Sequence, residues 1–218
     1  LSYWNPTINL ARDPRWGRNE ESYGEDPYLT SEIGAKSVEG MQGEDAKYLK
    51  TIATLKHFAA NNCEGERQTG TSVMTEKTFR EYYTRTFKDI VESSNPASVM
   101  SSYNALTISR NGEVFSDYIA SSANKYLLTD LLRRTWGFSG YVVGDCGAWE
   151  NLFGRQSMRQ KLFPDWNLDD ITAPMAVSKA FNAGNNLDCG SRAQGSTFES
   201  VEQGWMSEET LDVAVYSL

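Results

Sequence analysis

The sequence predicts an α/β fold of the TIM type, a parallel (β/α) barrel that is incomplete, and three observations carry that prediction. Short extended apolar runs alternate with longer segments of helical period, the order expected of βα units. The 218 residues hold about five such units, where a closed eight-stranded barrel normally takes about 250 residues. Polar and charged residues stand where the apolar runs end, the face on which such barrels gather function.

Strands are expected at residues 3–9, 52–57, 97–103, 140–145 and 185–188. Asp26 reads as an N-cap with Pro27 at the first helical position, opening a helix to about residue 41. Thr75 caps a second helix, with Phe79, Tyr82, Tyr83, Phe87 and Ile90 at helical spacing. A third is expected over residues 117–134, a fourth from 172 to 182, and Ser207 caps a last one running to the terminus. Residues 150–170, with Arg155, Arg159 and Trp166, show no period and read as a long loop. No repeat and no Pro/Gly/Ser-rich linker divides the chain, so residues 1–218 read as a single domain.

Composition removes several functions. A net charge of −8 argues against nucleic acid, whose phosphates are met mainly by Lys and Arg. No apolar run approaches the roughly 20 residues of a membrane span, and no secretory signal is visible; the compartment is unknown. The three cysteines, Cys63, Cys146 and Cys189, include no Cys-x-x-Cys pair, and His57 is the only histidine, so zinc clusters are nearly excluded, as is any Ser-His-Asp triad away from His57. The cysteines are expected to be reduced and partly buried, although Cys146 and Cys189 each follow an Asp at a strand end and could approach one another. What is abundant is carboxylate, arginine, aromatic and amide, the equipment of a sugar site.

Asp145 ends the apolar run Gly140-Tyr141-Val142-Val143-Gly144, which reads equally as a functional carboxylate at a barrel mouth or as a helix cap. Lys56-His57 ends another run, where a lone histidine is more often hydrogen-bonded to backbone than functional. Arg12-Asp13-Pro14-Arg15-Trp16-Gly17-Arg18 follows the first strand. Its arginines could simply pair with neighbouring Glu20, Glu21, Glu25 and Asp26, so not every one can be a ligand.

The stretch RDPRWGRNEESYGEDPY (residues 12–28), Lys56-His57-Phe58 and GFSGYVVGD (residues 137–145) together resemble the N-terminal barrel of glycoside hydrolase family 3. Residues 180–190 are similar to that family's segment ALNAGxDLDCG, and residues 206–218 to the helix that closes its first domain. The resemblance implies a retaining hydrolase of non-reducing terminal β-linked sugars, with Asp145 as nucleophile and Arg18, Lys56, His57, Arg67 and Tyr103 holding the sugar. Arg67 and the Asn61-Asn62 pair point to the β-glucosidase branch over the β-xylosidase one. The missing second histidine in KHFAANNCEGERQTG disfavours the β-N-acetylglucosaminidases. A catalytically silent sugar-binding remnant is the competing reading.

An oxocarbenium-like transition state needs a carboxylate below the anomeric carbon, and the retaining route forms an ester there. Arg18, Lys56 and Arg67 would keep Asp145 ionised while donating to sugar hydroxyls, and the Tyr103 hydroxyl would orient it. The acid/base glutamate of most members lies in a second domain, expected not to be part of this chain. The partner is a β-linked oligosaccharide or an aryl or alkyl β-glycoside. No cofactor is expected, since the spacing of Asp13, Glu25 and Asp45 matches no Ca²⁺ loop. Neighbouring residues on a regular strand point to opposite faces, so Lys56 and His57 reach one ring only through a backbone irregularity. The family suggests a non-proline cis bond at Lys56-His57 or His57-Phe58, and a partial barrel should leave a sheet edge open.

Overall fold

The structure is a computed structural model that describes residues 1–45, 47–154 and 161–218. Its frame is a parallel sheet of β1 (Ser2–Tyr3), β2 (Ile52–Phe58), β4 (Ser98–Ser101) and β7 (Tyr141–Gly144), in the order β1-β2-β4-β7. Every residue of β4 and β7 is buried, as expected of parallel strands covered on both faces. Among the described residues the sheet stays open and does not close into a barrel. The first expected strand is regular at Ser2–Tyr3, and beyond it the chain stays bonded to β2 through Asn5 O, Pro6 O and Ile8 N–H, with a bridge from Thr7 to Lys56. The last, residues 185–188, is reduced to one bridge from Leu187 to Val143.

The helix Pro27–Gln42 starts as its sequence dictates, with the Asp26 carboxylate accepting from Leu29 N–H at 2.7 Å. It lies against the helix Arg85–Ser94, and Gly34 allows the contact, because a Cβ there would stand 2.5 Å from Ile90 Cδ1. Thr75 and Ser207 cap the segments that follow them, as their side chains predict. The main core packs Ile8, Val38, Leu55, Phe58, Phe87, Ile90, Val99, Leu131 and Val142 between sheet and helices.

Four expectations need correction. A second sheet, β3 (Thr71–Thr75), β5 (Ala105–Arg110) and β6 (Glu113–Ala120), was not anticipated. Residues 117–120 therefore end a strand, and the third helix begins only at Tyr126, running as a π-helix to Thr135. The cause is Asn111-Gly112, whose positive φ values of 53° and 85° make the tight hairpin turn that Asn-Gly favours. Part of the loop expected over residues 150–170 is ordered as the helix Ala148–Gly154 and a 3-10 turn at Leu168–Asp170, while Arg155 and Arg159 fall outside the described residues. The cysteines, finally, are not all reduced: Cys146 and Cys189 form a disulfide with Cα atoms 4.3 Å apart, leaving Cys63 free and exposed.

Two groups bring the edges together. The half-buried Arg133 guanidinium donates to Gly140 O at 2.9 Å and to Asn186 Oδ1 at 2.6 Å, and Asn186 Oδ1 also accepts from Val142 N–H at 2.8 Å. Gly140 itself admits no side chain, since a Cβ would lie 2.3 Å from the Ala97 carbonyl oxygen. Gly140→Ala must therefore push β7 away from β4, and it is expected to destabilise the fold by about 1–3 kcal/mol, read as a lower denaturant midpoint; an unchanged midpoint would contradict this packing.

Candidate active site

Asp145 follows the last residue of β7, and its N–H donates to Ser101 O at 3.0 Å, carrying the β7–β4 pairing one step beyond the strand. The carboxylate is thereby fixed at the carboxyl end of the sheet. Its Oδ1 accepts from Cys146 N–H at 2.8 Å. Only 14% of the side chain is exposed, and this burial raises the carboxyl above its ordinary range, against the Cys146 amide and the charges of Arg18, Lys56 and Arg67, which lower it.

His57 faces it. The ring is buried, with Nε2 3.7 Å from Asp145 Oδ2, and the Lys56-His57 peptide is cis, as is Phe58-Ala59. The pairing of β2 with β4 slips between Leu55 and Phe58, so the simple alternation of faces does not hold across Lys56 and His57. Both end beside Asp145: Lys56 contributes to its electrostatics, and Lys56 Nζ also lies 3.9 Å from Glu21 Oε2.

A buried asparagine that sequence reasoning missed determines the state of His57. Asn9 Nδ2 donates to His57 O at 2.9 Å, while Asn9 Oδ1 accepts from His57 N–H at 2.7 Å and lies 3.1 Å from the ring Nδ1. Because Oδ1 can only accept, Nδ1 carries the proton, and in the neutral ring Nε2 is a bare acceptor turned to Asp145. Burial first, then Arg18, Lys56 and Arg67, hold the imidazole well below its usual pKa. The signal in the sequence was an amide within the run Thr7-Ile8-Asn9-Leu10, which needs partners once buried.

Of the three arginines in the motif Arg12–Arg18, only Arg18 reaches the site. Arg15 pairs with Asp13 at the surface, and Arg12 donates to the Tyr83 hydroxyl and lies over its ring. Arg18 meets Glu21 through two donors, Nε at 2.8 Å and Nη2 at 2.9 Å, leaving Nη1 free of that fork. Glu21 was foreseen only as one of several possible counterions. Glu64 was not foreseen; it accepts from Arg67 Nη1 at 3.0 Å and lies 4.0 Å from Arg18 Nη1. Arg67 is half-exposed and stacks over the Tyr103 ring, 4.9 Å from the centroid. The Tyr103 hydroxyl does not orient the Asp145 carboxylate as expected: it donates to the Cys146 carbonyl oxygen and so holds the backbone next to it. All six sequence-predicted site residues thus meet at one end of the sheet, each through a contact of its own. No group of three or more His, Cys, Asp or Glu placed to hold a metal occurs among the described residues.

The single histidine makes the electrostatics testable. A base whose folded pKa is depressed costs stability once the unfolded chain protonates, so stability is complete above about pH 6.5, the unfolded value, and falls as pH drops below it. The His57 ring nitrogens are expected to show the Nδ1–H tautomer by ¹⁵N NMR, unchanged from pH 8 to about pH 6, half a unit below the unperturbed pKa. Titration at an ordinary pKa would refute the buried neutral state.

Comparison with known proteins places this arrangement. A xylan 1,4-β-xylosidase of Xylanibacter ruminicola is 36% identical over 222 residues, covering 100% of this chain and 23% of that protein. A β-xylosidase/α-L-arabinofuranosidase of Medicago sativa subsp. varia is 35% identical over 224 residues, covering 100% of this chain and 26% of its own length. The chain thus spans about a quarter of the curated relatives it matches. Among solved structures, an exo-β-xylosidase in complex with a xylobiose aziridine activity-based probe superposes with a TM-score of 0.83 at 33% identity, over 97% of this chain and 26% of that one. β-Glucosidase 3B of Thermotoga neapolitana, in complex with glycerol, gives 0.75 at 31% identity, over 99% and 26%. Residues 2–216 match the Glycosyl hydrolase family 3 N terminal domain, and the chain belongs to that family.

Proposed function

We propose that the protein is a retaining, exo-acting β-glycoside hydrolase with Asp145 as its nucleophile. One observation carries the reading: a mostly buried carboxylate at a strand end lies 3.7 Å from a neutral histidine and within the electrostatic field of Arg18, Lys56 and Arg67. The three cations stabilise the carboxylate in its ionised, nucleophilic form. Arg18 keeps Nη1 for sugar hydroxyls because Glu21 holds its other edge, and His57 Nε2 accepts from a hydroxyl. Tyr103 supports the site through Cys146 and Arg67.

In the first step the carboxylate attacks the anomeric carbon, the glycosidic bond breaks, and the leaving oxygen takes a proton from a general acid. In the second, water activated by the same group, now a base, hydrolyses the glycosyl ester. We assign that acid/base to a second domain outside this chain, within the three quarters of the relatives that it does not span. The 218 residues alone should then lack general-acid assistance, typically worth about 10²- to 10⁴-fold.

β-Xylosides are the favoured substrate class, supported by the names of the relatives in sequence and of a solved neighbour. Asn62, one of the residues that pointed to the β-glucosidase branch, donates to Leu10 O at 2.8 Å and serves the backbone. Glucosides are the second reading, supported by the likeness to β-glucosidase 3B.

Turnover of aryl β-xylosides and aryl β-glucosides by the full-length protein tests the assignment, with xylosides expected to be faster. A 2-deoxy-2-fluoro glycoside should label Asp145; labelling of another residue would overturn the nucleophile, and absence of any turnover would favour the silent sugar-binding remnant. Asp145→Asn should abolish turnover yet raise the denaturant midpoint at neutral pH. A carboxyl whose folded pKa is raised costs stability as pH rises through that value, so this gain should vanish below about pH 4, the unfolded carboxylate range.

A further inference from the structure

Glu64 joins the two loops that carry the arginines. Its Oε2 accepts from Arg67 Nη1 at 3.0 Å, and its Oε1 accepts from Trp16 Nε1 at 3.4 Å and from Asn61 Nδ2 at 3.5 Å, with Arg18 Nη1 at 4.0 Å. Trp16 and Arg18 belong to the loop after the first strand, Asn61 and Arg67 to the loop after β2. One carboxylate therefore ties the loops across a gap where no strand pairing reaches. Stacking on Tyr103 fixes the plane of Arg67 but not its rotation within that plane; the bond to Glu64 fixes the rotation. Glu21 holds one edge of Arg18, and Glu64 faces the edge that remains.

We propose that Glu64 is a positioning residue that sets the spacing of Arg18 and Arg67 and so shapes the face that receives the terminal sugar. The inference rests on the glycoside-hydrolase reading of the site and deepens it. Glu64 touches neither Asp145 nor a reacting atom; it acts through the arginines.

Its charge has a second effect. The groups around Asp145 are Arg18 from the first loop, Lys56 and neutral His57 from β2, Arg67 from the second loop, and Tyr103 after β4, with Glu150 from the helix after β7 acting on Tyr103. Glu21 and Glu64 are the counterions of the three cations. Removing the Glu64 charge leaves one positive charge unbalanced near Asp145 and favours its ionised form.

Glu64→Gln in the full-length protein tests this, because it keeps the shape and removes the charge. KM for an aryl β-xyloside is expected to rise about tenfold, the loss of one charged hydrogen bond, with kcat less affected, and the acid limb of kcat/KM should move to lower pH. Glu64→Asp should restore the acid limb while recovering only part of KM, and it also serves as the test if Glu64→Gln does not fold. A merely structural role would leave the acid limb in place. Calorimetric binding of free xylose and glucose gives a readout independent of turnover, expected to weaken by about tenfold in Glu64→Gln. Equal sugar affinity in wild type and Glu64→Gln, with an unmoved acid limb, would overturn the proposal. A wild type that binds neither sugar and turns over no glycoside would instead overturn the reading of the site on which it rests.

Discussion

The carboxylate of Asp145 is largely withdrawn from water, which favours its neutral form, while Arg18, Lys56 and Arg67 favour the charged one, and much of the surrounding structure sets that balance. Burying an uncompensated carboxylate is costly enough that the group would take up a proton instead. Three cations act on it electrostatically from two loops and a strand, yet three cations alone would repel one another. Glu21 pairs with Arg18 and lies 3.9 Å from Lys56, and Glu64 pairs with Arg67, so cations and glutamates form an alternation of charges whose field acts on Asp145. His57 is excluded from this alternation by burial and by Asn9, which commits its only proton to an amide oxygen.

The frame was legible in the sequence wherever local chemistry dictates it. Asp26, Thr75 and Ser207 cap helices because each can accept from an N–H two or three residues on, and the apolar runs before His57, Tyr103 and Asp145 are the buried strands β2, β4 and β7. The second sheet was obscured because Tyr118, Ile119 and Ala120 continue smoothly into the apolar helix beyond them, although Asn111-Gly112 announced a hairpin directly.

At the site, the residues that face outward from strand ends were legible, and those that serve them were not. Asp145, His57 and Arg18 stand in motifs, whereas Asn9 and Glu64 owe their importance to partners 48 residues and three residues away respectively. Of these, the three-residue spacing from Glu64 to Arg67 was open to inspection, but the approach of Trp16 and Arg18 to the same carboxylate depends on tertiary structure. The disulfide belongs to the same class: adjacency of Cys146 and Cys189 follows from the bridge of Val143 to Leu187 beside it, which sequence spacing does not encode.

That disulfide separates two properties of the molecule that a simple barrel would couple. Cys146 and Cys189 are 43 residues apart in sequence, and a crosslink over such a span restricts the unfolded chain by about 4 kcal/mol in the loop-entropy model. More to the point, the ends of the intervening segment are fastened to each other independently of what lies between them. The backbone beside Asp145 is then held both by the crosslink and by the sheet, where Asn186 and Leu187 bind Val142 and Gly144 of β7. Changes of length or composition between the helices Ala148–Gly154 and Ala173–Ala183 can then be absorbed while the backbone beside Asp145 stays where it is.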